Sequence, residues 1–146
     1  MPIEREFLMM RLELPPIFLC TNKQEFDKNM LKWGFESLNW LDDEAGACCH
    51  TFNHPDFGLM FVVSMRMKAP DHIDNIGVAC LIVHEATHVW QRICEFAGED
   101  SPGAETEAYT IQSISEALMR QYVNRKWRKS RAGWVLRETS SRSKEK

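Results

Sequence analysis

The chain has 146 residues, of which 44% are hydrophobic and 27% are charged. This composition is that of an ordinary globular protein and excludes a fibrous or largely disordered chain. The length suits a single folding unit better than two domains. The formal net charge of −3 conceals an asymmetry: residues 1–119 carry 8 Lys and Arg against 19 Asp and Glu (net −11), whereas residues 120–146 carry 10 against 2 (net +8). We therefore expect an acidic body and a basic tail.

Two further features bear on the location of the protein. The longest apolar runs fall well short of the ~20 residues that span a bilayer, and the N-terminus "MPIEREFLMMRLELPP" lacks the pattern of a signal peptide. The five cysteines are an odd number and include the adjacent pair Cys48 and Cys49, which suits a reducing compartment better than a disulfide framework. The sequence predicts a cytoplasmic protein with free thiols and no membrane segment.

The first half of the chain predicts one helix and one hairpin. The segment 21–41 opens with a possible capping box, Thr21 followed by Gln24, and continues with apolar side chains at helical spacing. The segment 47–65, "ACCHTFNHPDFGLMFVVSM", places turn residues between two runs with aromatic and β-branched side chains. We expect a β-hairpin here, with residues 59–64 as its clearer strand.

The second half predicts two long helices and a basic tail. The first helix is capped by Asp71 or Asp74 and runs to about Phe96, before Gly98. The second follows Gly103 and turns one face inward, which consists of Ala104, Ala108, Ile111, Ile114, Leu118 and Tyr122. The fold class is therefore α+β, with helices packed on a small β-sheet or hairpin. Residues 1–136 form the single domain, and residues 137–146 are expected to be a disordered basic end.

The strongest chemical signal is "LIVHEATHVWQ", residues 81–91. His84 and His88 lie one helical turn apart on the same face, so both imidazoles can bind one metal ion. Glu85 is rotated by about 100° from His84, where its carboxylate can act as general base towards water activated by zinc. Zinc lowers the pKa of bound water far below that of bulk water, to about 7, and polarises a carbonyl. Glu85 can then return the proton to the leaving amine.

The surroundings of the motif favour a metal site over chance. Composition alone predicts roughly 0.02 occurrences of this pattern in the chain. The preceding "GVACLIV" predicts a helix half that is buried on every side, which leaves the ring of His84 partly desolvated and in need of a partner. A catalytic zinc also requires a third protein ligand. The candidates are the other histidines and the glutamates of "GAETEAYTIQ", namely His50, His54, His72, Glu105 and Glu107.

With its two histidines and a helical Glu-x-x-Ala 17 residues after His88, the chain resembles the gluzincin group of zinc metallopeptidases, particularly its small members. The resemblance covers about residues 58–120 and implies a zincin-like fold and a peptide or protein substrate. It also implies that Glu105, which begins Glu-x-x-Ala, is the third ligand. Tyr109, one turn further, is then implied to donate a hydrogen bond to a metal ligand or to stabilise an oxyanion.

Helical phase points to a different glutamate. Glu105 and Glu107 lie about 200° apart around a helix, so only one of them is expected to reach the metal. Glu107 lies nearer the face of Ile111 and Ile114. We take Glu105 as the third ligand and keep Glu107 as the alternative. Tyr109 is also compatible with ordinary packing.

Three further patterns in the sequence are weaker indications of function. Cys48, Cys49, His50 and His54 match no standard zinc spacing, so a half-buried hairpin with free thiols is the better interpretation. The strand at residues 59–64 could pair with an extended substrate as an edge strand, although core strands are commoner. Trp127 and Trp134, seven residues apart within basic residues, favour a packed helix face, with binding of nucleic acid or an acidic partner as the alternative.

The sequence thus predicts a zinc-dependent peptidase. Its metal ligands are His84, His88 and Glu105, its catalytic residues are Glu85 and Tyr109, and its cofactor is zinc. Two alternatives remain: a metal-stabilised binding or assembly protein without turnover, and a nucleic-acid-associated protease directed by the basic tail.

Overall fold

A computed structural model describes residues 13–36, 38–42, 44–66, 75–130 and 133–136, with the side chains of residues 126–130 and 133–136 left aside. Within these ranges the chain forms three helices, a three-stranded sheet and a two-stranded ribbon. The α+β prediction is confirmed. The predicted caps Asp71 and Asp74, the candidate ligand His72 and the tail 137–146 lie outside the described residues.

The sheet contains β1 (Ile17–Cys20), β2 (Ala47–His54) and β3 (Gly58–Met65) in the order β1-β3-β2. Strand β3 is parallel to β1 and antiparallel to β2, which confirms the hairpin across residues 55–57. The interpretation of residues 59–64 as a core strand is confirmed, and the alternative of an edge strand is wrong. Because β3 has a strand on each side and helices over both faces, its side chains form the continuous apolar run typical of a central strand.

Two apolar clusters lie on opposite faces of the sheet. Side chains alternate between the faces along β3, so Phe61 and Val63 contribute to one cluster and Met60 and Val62 to the other. Helix α1 (Lys23–Trp33) covers the second face with Phe26. The first face is covered by the two long helices α2 (Asn75–Ala97) and α3 (Ala104–Lys126).

Helix α1 is shorter than the sequence pattern suggested. Its N-cap is Asn22, whose side chain accepts a hydrogen bond from the backbone N–H of Glu25, so the prediction of Thr21 as cap is wrong by one residue. The helix stops at Trp33 because Gly34 adopts a left-handed conformation with φ of 77°. The apolar residues beyond Gly34 are therefore outside the helix, although Leu41 is still buried.

Helices α2 and α3 run close to their predicted lengths. Gly98, with φ of 68°, terminates α2 as expected. On α3, Ile114, Leu118 and Tyr122 are buried, whereas Ala104 and Ala108 at its start are exposed, which corrects that part of the predicted face. Neither helix, nor α1, is long and apolar enough to cross a membrane.

The basic segment after α3 is not a helix. Residues Trp127–Ser130 (β4) pair antiparallel with Gly133–Leu136 (β5), and Lys129 lies opposite Trp134. The helical interpretation of the two tryptophans is therefore wrong. A spacing of seven matches two helical turns, but it also results when a short ribbon places two tryptophans on opposite strands.

Candidate metal centre

His84 and His88 converge on the exposed side of α2. Their Nε2 atoms are 3.0 Å apart, with ring centroids 4.7 Å apart and ring planes at 84°. Both side chains are exposed, so the expected desolvation of His84 is wrong. The helix half that precedes them is not buried on every side either, since Ile76 is 73% exposed and Val83 and Cys80 also face outward. One face of α2 is thus apolar and solvent-facing around the histidines.

Glu85 is the buried member of the motif, at 4% exposure. It continues the buried stripe of Val78, Ile82 and Val89, whose spacings of four, three and four residues place them on one helical face. The sequence contained this signal, because the same spacing marks the core side of any amphipathic helix. The sequence-based prediction assigned the burial to His84 instead. The predicted buried face of α2 is therefore rotated by about one quarter of a turn from the observed one.

The electrostatic surroundings of Glu85 link α2 to strand β2. Burial raises the pKa of the Glu85 carboxyl, and positive charge on His84, His88 and His50 partly opposes this rise. Burial, with the Glu85 charge as the second cause, raises the pKa of the Cys49 thiol to about 12. Glu85 therefore lies between the two histidines and the hairpin, on the side of α2 that meets the sheet.

Of the two candidate glutamates of α3, Glu107 contacts α2, and it does so on another side of that helix. Glu107 accepts a hydrogen bond of 3.0 Å from Nε1 of the buried Trp90. Trp90 is six positions from His84 and so lies about 240° around the helix. Glu105 and Tyr109 are exposed near the start of α3. Within the described ranges, His, Cys, Asp and Glu side chains form no group of three or more that could hold one metal ion.

The structure therefore brings together part of the predicted site. His84 and His88 converge and Glu85 is next to both, whereas the third ligand is not assembled among the described residues. The assignment of Glu105 stays a prediction. Between the two candidates the hydrogen bond to Trp90 favours Glu105, because it gives the Glu107 carboxylate a structural partner on α2.

The remaining histidines and cysteines of the hairpin have structural roles. His50 Nε2 donates to the backbone oxygen of Trp40 at 2.9 Å, and His54 Nδ1 accepts from the backbone N–H groups of Asp56 and Phe57 in the turn. All five cysteines are free thiols, as expected. The interpretation of this segment as a half-buried hairpin with free thiols is confirmed.

One concavity among the described residues does not contain the histidines. It is a cleft of about 710 Å³ along α3, and Val83 is its sole described contribution from α2. Comparison of the chain with protein-family models, with curated proteins and with solved structures found no match.

Proposed function

We propose that the protein is a zinc-dependent hydrolase, most specifically a metallopeptidase, whose metal is held by His84, His88 and Glu105. The observation that supports this best is the 3.0 Å separation of the two imidazole Nε2 atoms. Zinc–nitrogen bonds are about 2.0–2.1 Å long, so two nitrogens on one zinc ion lie at most about 4.2 Å apart. At tetrahedral angles the two nitrogens would lie about 3.4 Å apart, so the observed 3.0 Å requires only a small movement of the rings.

The donor set and its exposure also suit a catalytic metal. Two imidazoles and one carboxylate form a set of three protein ligands that catalytic zinc commonly uses. Zinc, when bound, supplies a Lewis acid that polarises a carbonyl and makes hydroxide available near neutral pH. Because both rings face solvent, a substrate can approach from outside.

Glu85 is the residue assigned to proton transfer. Its carboxylate follows His84 directly in the chain and feels the charge of both histidines. Its burial keeps it against the hairpin, and no described residue forms an ion pair with it. In this role Glu85 accepts a proton from the attacking water and passes it to the leaving amine.

Strand β2 provides the place for an extended peptide. It is one of the two edge strands of the described three-stranded sheet, β1 being the other, and α2 packs beside it. An edge strand presents unpaired backbone N–H and C=O groups that can pair with a peptide of any sequence. The proposal therefore assigns substrate pairing to β2, in place of the central strand β3.

The primary test is the zinc content of the purified protein. We expect about one zinc ion per chain in the wild type, and its loss in His84→Ala and in His88→Ala, because each variant removes one of three ligands. The control is His54→Ala, which removes a histidine that serves the hairpin turn. Elemental analysis after dialysis measures the content. Stoichiometric zinc retained in His84→Ala would overturn the ligand assignment.

A pair of matched variants distinguishes the two glutamates. We expect Glu105→Gln to weaken zinc binding at least about 10-fold, whereas Glu107→Gln, which keeps an oxygen for Trp90, leaves it nearly unchanged. Competition with a zinc chelator of known affinity measures both. The reverse order of effects would transfer the third ligand to Glu107.

A second candidate function is a metal-stabilised binding or assembly protein without turnover. It is favoured by one observation: the described residues bring together only two metal-binding side chains, which supports binding more directly than catalysis. This function would be supported over the peptidase if zinc raises the melting temperature of the wild type but the zinc-loaded protein cleaves nothing in a broad peptide library.

A further inference from the structure

Gln91 contacts the histidine pair from the same exposed side of α2. It follows His88 by three positions, and its Oε1 lies 3.0 Å from Nδ1 of His88. An amide oxygen only accepts hydrogen bonds, so the hydrogen in this contact belongs to Nδ1 of the imidazole. With the amide oxygen in this orientation, the contact selects one neutral tautomer of His88, the form protonated at Nδ1.

This tautomer determines what the other ring nitrogen can do. With the proton on Nδ1, Nε2 of His88 carries a lone pair, and it faces Nε2 of His84 at 3.0 Å. In the metal-free protein the hydrogen between them then comes from Nε2 of His84. Gln91, His88 and His84 thus form a chain of two hydrogen bonds with one direction.

We propose that Gln91 is a positioning residue that holds His88 in the Nδ1–H tautomer, with its Nε2 lone pair directed at the space shared with His84. As far as a metal ion is concerned, this inference rests on the proposed function. His84 has no comparable partner at Nδ1 among the described residues. A bound metal ion would therefore leave the proton of His88 in place, whereas His84 would release its Nε2 proton to water and take one from water at Nδ1.

The first experiment needs no metal. Long-range ¹H–¹⁵N correlation spectra of the metal-free protein, at a pH of about 8 and so above the ordinary histidine pKa of about 6.5, report which ring nitrogen carries the proton. Spectra of His84→Ala and His88→Ala assign the signals. We expect His88 in the Nδ1–H form, which is the opposite of the form that a histidine side chain prefers in water.

Substitutions at position 91 then test whether Gln91 is the cause. Gln91→Leu removes the acceptor and should return His88 to the Nε2–H form, whereas Gln91→Glu keeps an acceptor oxygen and should preserve Nδ1–H. Leu and Glu are both good helix formers, so α2 is retained. Gln112→Leu, at an exposed glutamine of α3, is the matched control and should leave the pattern unchanged. An Nε2–H form of His88 in the wild type, or an unchanged Nδ1–H form in Gln91→Leu, would overturn the proposal.

Titration with Zn²⁺ alone separates this inference from the proposed function. We expect Gln91→Leu to bind zinc about 10-fold more weakly than the wild type, and Gln91→Glu to retain most of the affinity. If the wild type binds no zinc but the tautomers follow the pattern above, the proposed function fails and the role of Gln91 stands. Where the wild type does bind zinc, an equal affinity in Gln91→Leu would overturn the role of Gln91 in positioning His88 for the metal.

Discussion

Glu85→Gln is expected to lower peptide hydrolysis by about 10²–10⁴-fold, the range that a positioned general base contributes, while the zinc content stays at the wild-type level. The amide has nearly the shape of the carboxylate but does not accept a proton from water at neutral pH. It also fits the same buried position against the hairpin. Cleavage of a quenched peptide library by zinc-loaded protein provides the measurement, with elemental analysis on the same samples.

Glu95→Gln is the matched control for this experiment. Glu95 lies on the same helix but is exposed and paired with Arg92, so its substitution should change neither hydrolysis nor zinc content. Hydrolysis by Glu85→Gln at the wild-type rate would exclude Glu85 as the base. Loss of zinc in Glu85→Gln would instead indicate that the buried carboxylate stabilises the metal site itself.

Arg125→Met is expected to lower the free energy of unfolding by about 2 kcal/mol at pH 7. Arg125 lies near the end of α3 and donates to Glu25 of α1 at 2.7 Å and to the backbone oxygen of Leu19 in β1 at 2.6 Å. Methionine retains the apolar stem but leaves a partly buried carboxylate and a carbonyl oxygen without their donor. The pair is 29% and 27% exposed, so the loss is smaller than for a fully buried pair.

The dependence of stability on acid pH should also change in Arg125→Met. Burial by itself raises the pKa of Glu25, but hydrogen bonds from Arg125 and Thr21 outweigh it and hold the pKa below its ordinary value. The contribution of Glu25 is therefore present above its unfolded pKa of about 4.3 and is lost as the pH falls through the lower folded pKa. We expect a weaker loss of stability below about pH 4.5 in Arg125→Met than in the wild type.

Urea unfolding at a series of pH values measures both effects. Arg120→Met is the control, because the Arg120–Glu116 pair lies on the exposed side of the same helix and contributes about 0–0.5 kcal/mol. A free energy of unfolding in Arg125→Met equal to that of Arg120→Met would show that the Glu25–Arg125 pair does not hold α3 to the first strand and helix.

Local sequence patterns predicted most of the secondary structure. The turn residues between the two runs at residues 47–65 correctly predicted the hairpin, and Gly98 correctly predicted the end of α2. Both signals act through neighbours in the chain. The errors arose where two local signals competed. Asn22 caps α1 in place of Thr21, and Gly34 ends it although apolar residues continue at helical spacing.

In the candidate site, too, local sequence signals account for some features and not for others. The spacing of His84 and His88 by itself determines that their rings meet, because residues four apart share a face of any α-helix. The burial of Glu85 was also present in the sequence, in the stripe that it shares with Ile82 and Val89. It was overlooked because an apolar run before a motif suggests burial on all sides, whereas packing covers one side of α2 and leaves the other exposed.

Tertiary structure decided the relations between distant segments. The position of β3 between β1 and β2, and hence of β2 at the edge beside α2, depends on strand pairing over long sequence separations, which no local pattern encodes. The hydrogen bond from Trp90 to Glu107 likewise depends on how α3 packs against α2. The sequence by itself determined that His84, Glu85 and His88 share one helix and that the two histidine rings meet, because helical geometry is local. The strands and helices that surround these residues were decided by packing, because they depend on which faces of distant segments come into contact.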